Sequence, residues 1–200
     1  LTSASSVGTG VKLLNTQKLY TQGGLVSTDN SLDLAIDGAG FFQVLMPDGR
    51  MGYTRNGTFS RNGEGTLTTS SGYVLQPQIQ IPEGVQEINI SSDGIVSVLL
   101  PGEAIPQEAG QLALANFINP RGLQAIGETF MVETPASGAP IEGLPRSAGF
   151  GKLNQGFLEG SNVNVVQQLV EMIETQRAYE VSSKSISGVD EMMRFLSNNL

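Results

Sequence analysis

Any chemistry in this 200-residue chain falls to carboxylates and hydroxyls, because the sequence holds no cysteine and no histidine. Without cysteine there is no thiol nucleophile, no disulfide and no thiolate-bound zinc. Without histidine there is no imidazole base and no Ser-His-Asp arrangement. Five aspartates, Asp29, Asp33, Asp37, Asp48 and Asp93, are the candidates for a carboxylate pair of the kind that hydrolyses glycosides. Most of them stand beside Gly or Asn, where an Asp side chain accepts hydrogen bonds from turn amides. They are read as turn and surface residues. Gly38-Ala39-Gly40 begins like a phosphate-binding loop, but Phe41-Phe42-Gln43-Val44 follows with a strand pattern. A dinucleotide phosphate needs a helix N-terminus at that point, so the segment is read as a tight turn between strands. No Asp-x-Asp-x-Asp-Gly run provides a calcium loop. Asn56-Gly57-Thr58 and Asn89-Ile90-Ser91 match the glycosylation sequon and are read as turn and strand residues. No catalytic residue, cofactor or metal is expected.

Charge narrows the partners. Eleven Lys and Arg against 19 Asp and Glu leave a formal charge of −8. The cations Arg50, Arg55, Arg61, Arg121 and Arg146 are scattered singly, which argues against nucleic acid, since phosphate contacts need clustered Lys and Arg. No run of about 18 apolar residues provides a membrane span. Leu1-Thr2-Ser3-Ala4-Ser5-Ser6 has neither the basic nor the apolar region of a Sec signal.

The elements that must position these residues fall into three patterns. Residues 1–31 are polar and rich in Gly, Ser and Thr, with a weak apolar pattern at Val11, Leu13, Leu14, Leu19 and Leu25. They are read as an extended arm with one strand. Residues 32–140 carry short apolar runs at period two, such as Leu32–Ile36 and Phe41–Leu45. Pro47-Asp48-Gly49, Asn56-Gly57, Asn62-Gly63 and Asp93-Gly94 separate them as turns. Further strands are expected at Gly52–Thr54, Thr66–Thr69, Tyr73–Gln76, Ile79–Ile81, Ile88–Ile90, Ile95–Leu99, Gln111–Phe117 and Thr129–Thr134. This predicts a mainly β fold: an irregular multi-stranded domain, sandwich- or barrel-like, with Phe41, Phe42, Tyr53, Phe59 and Tyr73 in its core. Residues 141–162 read as a Gly/Pro-rich connector.

Residues 163–200 form one long C-terminal α-helix. Val165, Leu169, Met172, Gln176, Tyr179, Ser183 and Ile186 step by four and three, and Val189, Met193, Leu196 and Leu200 continue after one shortened step. That is a near-heptad stripe. Asn162 or Asn164 supplies the N-cap. Over about 36 residues such a helix extends about 54 Å, more than the β domain can cover. No second long helical pattern occurs in the 200 residues. The apolar stripe is therefore expected to pack against another copy or a segment outside this sequence, and the protein to assemble. The rival reading is a carbohydrate- or peptide-binding β module with Tyr20, Tyr53 or Tyr73 as an aromatic platform.

The motifs carry a resemblance. Asp33-Leu34-Ala35-Ile36-Asp37-Gly38-Ala39-Gly40-Phe41-Phe42-Gln43-Val44, Tyr53-Thr54-Arg55-Asn56-Gly57-Thr58-Phe59 and Gly72-Tyr73-Val74-Leu75-Gln76-Pro77 resemble, in order, motifs of the bacterial flagellar rod and hook proteins. Gln155–Val165 is similar to the family's approach to its C-terminal helix, and Met172–Glu180 to that helix's core motif. Val7-Gly8-Thr9-Gly10-Val11 and Ile79-Gln80-Ile81-Pro82 resemble a distal rod member, and the compact middle region argues against the hook protein; a proximal rod or hook subunit of the same family is the alternative.

The resemblance implies a structural homo-oligomer and no enzyme. Its subunits pack helically into a hollow tube that crosses the periplasm and transmits torque. The implied partners are neighbouring rod and hook proteins and the ring proteins of the outer membrane and periplasm, with no nucleic acid and no membrane insertion. The implied export route is the flagellar type III apparatus rather than Sec. The family's N-terminal helix, which pairs with the C-terminal one, has no counterpart here. Val165, Leu169, Met172, Gln176, Tyr179, Ile186, Val189, Met193 and Leu196 are the expected assembly interface.

Overall fold

Adjacent side chains in a strand point to opposite faces, so Phe41 and Phe42 can both be buried only if their sheet carries a core on each side. The chain builds that arrangement. A computed structural model describes residues 20–103, 105–127 and 129–198, with side chains described as far as Arg194. Val11, Leu13, Leu14, Leu19 and Leu200 lie outside the described residues, as does the Val7–Val11 motif. The chain divides into one compact unit ending at Gly160 and a second beginning at Ser161.

The first unit is β. Its strands are β1 (Leu25–Ser27), β2 (Leu34–Asp37), β3 (Phe41–Leu45), β4 (Met51–Thr54), β5 (Phe59–Arg61), β6 (Leu67–Thr69), β7 (Val74–Gln76) and β8 (Glu87–Ile90). They continue with β9 (Ile95–Leu99), β10 (Gln107–Gln111), β11 (Leu114–Asn116), β12 (Gln124–Gly127), β13 (Phe130–Val132), β14 (Ile141–Gly143), β15 (Lys152–Gln155) and β16 (Phe157–Glu159). The largest sheet runs β12-β13-β4-β3-β7-β6-β5, with β11 bridging β3 to β14. A three-stranded sheet, β10-β9-β8, and two ladders, β15-β2 and β1-β16, complete the unit. The sheets stay open, so the unit is a set of several sheets rather than a closed barrel.

Face by face, the packing follows the pleat. Phe42 and Val44 of β3 join Leu34, Ile36, Val96, Val98 and Leu153 in the main core. Phe41 turns the other way and meets Tyr53, Ala115, Phe117, Leu123 and Met131 in a second cluster. Edge-to-face contacts, Phe42 on Phe59 at 5.1 Å and Tyr53 on Phe117 at 4.8 Å, order the rings on each side.

Several expected strands shift. Gln111–Phe117 splits: β10 ends at Gln111 and β11 begins at Leu114, so the two flanking ladders have different partners. Ile79 and Ile81 are buried without forming a strand; the isolated Thr66–Gln80 bridge and the Ile81 amide, which donates to the Gly65 carbonyl at 2.8 Å, tie that segment to the ladder. Residues 141–162 hold β14, β15 and β16, each paired to a strand far back in sequence, as in Lys152 opposite Asp37.

Three glycines are dictated by geometry. Gly38 and Gly40 take φ of 118° and 134° in the turn between β2 and β3, a region an L side chain rarely enters. Gly57 lies against the Leu34 carbonyl, which leaves no room for an added Cβ. The Leu34 amide in turn donates to the Gly57 carbonyl at 3.0 Å.

Gly57→Ala must push that backbone pair apart and is expected to destabilise the β unit by about 3 kcal/mol or more, read as a lowered denaturation midpoint. A second test uses Tyr53, whose phenol is pushed up to about 12 by burial and then by the negative charges of Glu133 and Glu142. An unfolded tyrosine ionises near 10. The stability held in full below about pH 10 is therefore lost as pH rises to about 12, because only the unfolded chain releases its proton in that window. Tyr53→Phe is expected to flatten the denaturation midpoint across the same window, and an unchanged slope would contradict this.

Candidate assembly surface

The second unit is a single helix, α1 (Val165–Asn198), 34 residues long. Asn164 starts it: its Oδ1 accepts the amides of Val166 at 3.1 Å and Gln167 at 3.3 Å, two donors that the first turn leaves without helical partners. The polar side chains satisfy one another along the helix. Gln167 and Gln168 donate to the two oxygens of Glu171. The hydroxyls of Thr175, Ser182, Ser185 and Ser187 each donate to the carbonyl four residues earlier.

The apolar side chains have no such outlet. Val165, Leu169, Met172, Tyr179, Ile186, Val189 and Met193 are between 50% and 76% exposed, and Gln176 is exposed among them. Leu196 is on the helix, but its side chain lies outside the described ones. Val166, Val170 and Ile173, which the stripe did not include, are exposed as well. At 3.6 residues per turn, Val165 to Ile173 thus present an apolar arc of about 160°. The signal was in the sequence as the doublets Val165-Val166, Leu169-Val170 and Met172-Ile173. Repeated at a spacing of three or four, they widen a stripe into a face.

In the β unit the candidate chemical groups are dispersed and separately occupied. Asp33 is buried and accepts from the Thr28 hydroxyl at 2.8 Å and the Asn30 amide at 2.9 Å. Asp37 pairs with Lys152 at 3.3 Å and Asp93 with Arg146 at 3.1 Å. Asp48 accepts from the backbone amide of Arg50 and pairs with its guanidinium, and these hydrogen bonds hold its carboxyl below the usual range. Asp29 borders a polar cleft with Asn30, Glu87 and Gln155. Gly38–Gly40 leads from strand to strand, with no helix to receive a phosphate. Asn56 closes a turn on Thr58, and Asn89 is exposed in β8.

The tyrosines offer no platform. Tyr53 is buried, Tyr20 packs on Phe41, and Tyr73 packs on Phe130. The Tyr20 hydroxyl donates to the Met131 sulfur at 3.3 Å.

One residue organises more of the unit than its sequence position suggests. Arg55 donates through Nε to Glu159 at 2.7 Å, through Nη1 to the carbonyls of Gly38 and Gly40, and through Nη2 to that of Ile36. A second Glu159 oxygen accepts the Gly23 amide. The clamp thus holds the β2–β3 turn, the end of β16 and the arm before β1. Beside it, the Gly160 amide donates to the Gly24 carbonyl at 2.8 Å. Chain arriving through the arm and chain leaving toward α1 are neighbours there.

A β unit that has closed its own cores, in a chain whose helix exposes a long apolar face, defines an assembly subunit. Comparison with known proteins supplies the particular kind. Residues 35–98 match the D1 domain of the flagellar hook protein FlgE/F/G family, and residues 154–200 match the flagellar basal body rod FlgEFG C-terminal domain. The chain is 51% identical to the flagellar basal-body rod protein FlgG of Buchnera aphidicola subsp. Schizaphis graminum, over 98% of its own length and 76% of that protein. Against Caulobacter vibrioides it is 46% identical to FlgG, over 96% of this chain and 73% of that one. The same organism's basal-body rod protein FlgF is 33% identical over 88% and 68%. The chain belongs to the FlgE/F/G family of flagellar hook and basal-body rod proteins. With FlgG as its strongly similar relative, it is a structural subunit of the flagellar distal rod.

The Arg55 clamp generates its own test. Arg55→Ala removes one partly buried ion pair and three carbonyl contacts and leaves Glu159 without its cation. It is expected to cost about 3 kcal/mol and to speed hydrogen exchange at Leu25–Ser27 and Phe157–Glu159. Unchanged exchange there would show that the clamp does not hold the two strands.

Proposed function

We propose that this subunit packs helically with copies of itself, and with neighbouring rod and hook proteins, into a hollow shaft that crosses the periplasm. In this reading α1, approached from residue 163, lines the inner layer, and the β unit forms the outer layer. Ring proteins of the outer membrane and periplasm surround the shaft, which carries motor torque to the hook. Export runs through the flagellar type III apparatus without a Sec signal.

One observation carries the reading: apolar side chains remain exposed along the length of α1, while the β unit has assembled two buried cores. Burying an aliphatic side chain of this size is worth about 1.5–3 kcal/mol. The seven apolar stripe residues from Val165 to Met193 together therefore favour association by on the order of 10 kcal/mol before the entropy of ordering is subtracted. Torque transmission also fits a contact made by many side chains along a helix, because shear is then spread over its length. In this reading the family's N-terminal helix belongs to chain ahead of the arm. The arm meets the residues before α1 at Gly24 and Gly160, which suits a helical segment from that chain pairing with α1.

Leu169→Asp and Ile186→Asp each place a carboxylate in the middle of the packed face, at about 3 kcal/mol or more per copy. Basal bodies from cells carrying either variant are expected to lack the distal rod and hook in electron micrographs. The purified variants should keep the wild-type unfolding transition of the β unit. Rods of normal length in either variant would contradict the proposal.

A further inference from the structure

The six methionines of the chain divide by surroundings. Met46 and Met131 are buried in the β unit, at 5% and 8% exposure, and Met131 accepts the Tyr20 hydroxyl. Met51 is half-buried. Met172, Met192 and Met193, all on α1, are exposed by 63%, 64% and 64%. Thioether oxidation follows access. A sulfur lone pair attacks the O–O bond of a peroxide, an S–O bond forms and the O–O bond breaks. Sulfur loses two electrons, and hydrogen peroxide leaves as water. Nothing in the geometry of the free subunit distinguishes the three α1 thioethers as targets.

Their positions on the helix do. Met172 and Met193 are three heptads apart on the stripe and lie within about 60° of each other around the helix, while Met192 is about 160° from Met172. A sulfoxide replaces a flexible apolar side chain with a polar one. On the stripe its oxygen would be carried into a seam of Val, Leu and Ile side chains, where an unpaired polar group is costly. At Met192 it would stay outside that seam.

We propose that Met172 and Met193 form a peroxide-sensitive modification site that governs whether a subunit is taken into the rod. Oxidised before packing, the subunit is excluded; once packed, the same sulfurs are shielded. The inference rests on the stripe being the packed face.

The test uses the full-length protein. Cells lacking methionine sulfoxide reductases are grown in sublethal hydrogen peroxide, and sulfoxide at each methionine is measured by peptide mass spectrometry in isolated basal bodies and in the unassembled subunit pool. In the pool, Met172, Met192 and Met193 are expected to be oxidised to similar extents, well above Met46 and Met131. In rods, sulfoxide at Met172 and Met193 should be depleted about tenfold relative to the pool, equivalent to about 1.4 kcal/mol, with no such depletion at Met192. Met192→Leu should leave the depletion at the other two in place. Equal sulfoxide in rods and pool would overturn the proposal, as would equal depletion at all three helix positions or a pool in which Met172 and Met193 are no more oxidised than Met46. Rods that form with Leu169→Asp would instead remove the stripe reading itself. If Leu169→Asp abolishes rods while sulfoxide at Met172 and Met193 enters wild-type rods freely, this proposal alone fails.

Discussion

The governing constraint is an apolar helix face left open to water. An isolated helix is marginal even with good propensity, because nucleation is costly and tertiary packing supplies most of its stability. α1 has Asn164 at its start and a set of internal side-chain bonds, but those terms are individually small. Its large term is apolar burial, and that term is still unspent in the subunit. In the proposed rod, burying that face would make the stability of the helix and of the assembly one quantity, as in obligate oligomers.

The β unit has solved the opposite problem. Its large sheet carries a core on each face, and ladders from β14, β15 and β16 return late segments of chain to early ones. Arg55 closes that circuit through one carboxylate and three carbonyls. The chain thus joins a β unit with two buried cores to a helix whose apolar face is exposed.

How much of this was legible in the sequence depends on how local the cause was. β3 and β9 were readable to the residue, because their alternation sits beside turn residues within a few positions. The helix and its stripe were readable because period and length are local properties. β12, β14, β15 and β16 were not assigned: three- and four-residue strands rich in Gly and Gln are defined by partners up to more than a hundred residues away, such as Lys152 opposite Asp37. Ile79-Gln80-Ile81 alternates like a strand, yet only its side chains were needed, as plugs for the main core. Arg55 was read as one of several scattered cations. Three of its partners are main-chain carbonyls, which no side-chain pattern announces. Asp48 and Asp93, read as turn and surface residues, do stand in turns beside Gly, whereas Asp33 is buried and Asp37 ends β2, placements set by tertiary packing.

The most direct measurement of the central claim is amide hydrogen exchange on the full-length subunit, free and in isolated basal bodies. The account predicts slow exchange across β3, β4 and β9 in both samples. It predicts fast exchange along Val165–Asn198 in the free subunit, slowed by orders of magnitude in the rod. Strong protection of α1 in the free subunit, equal to that of the β core, would show that the helix is stable without a partner and would contradict the account.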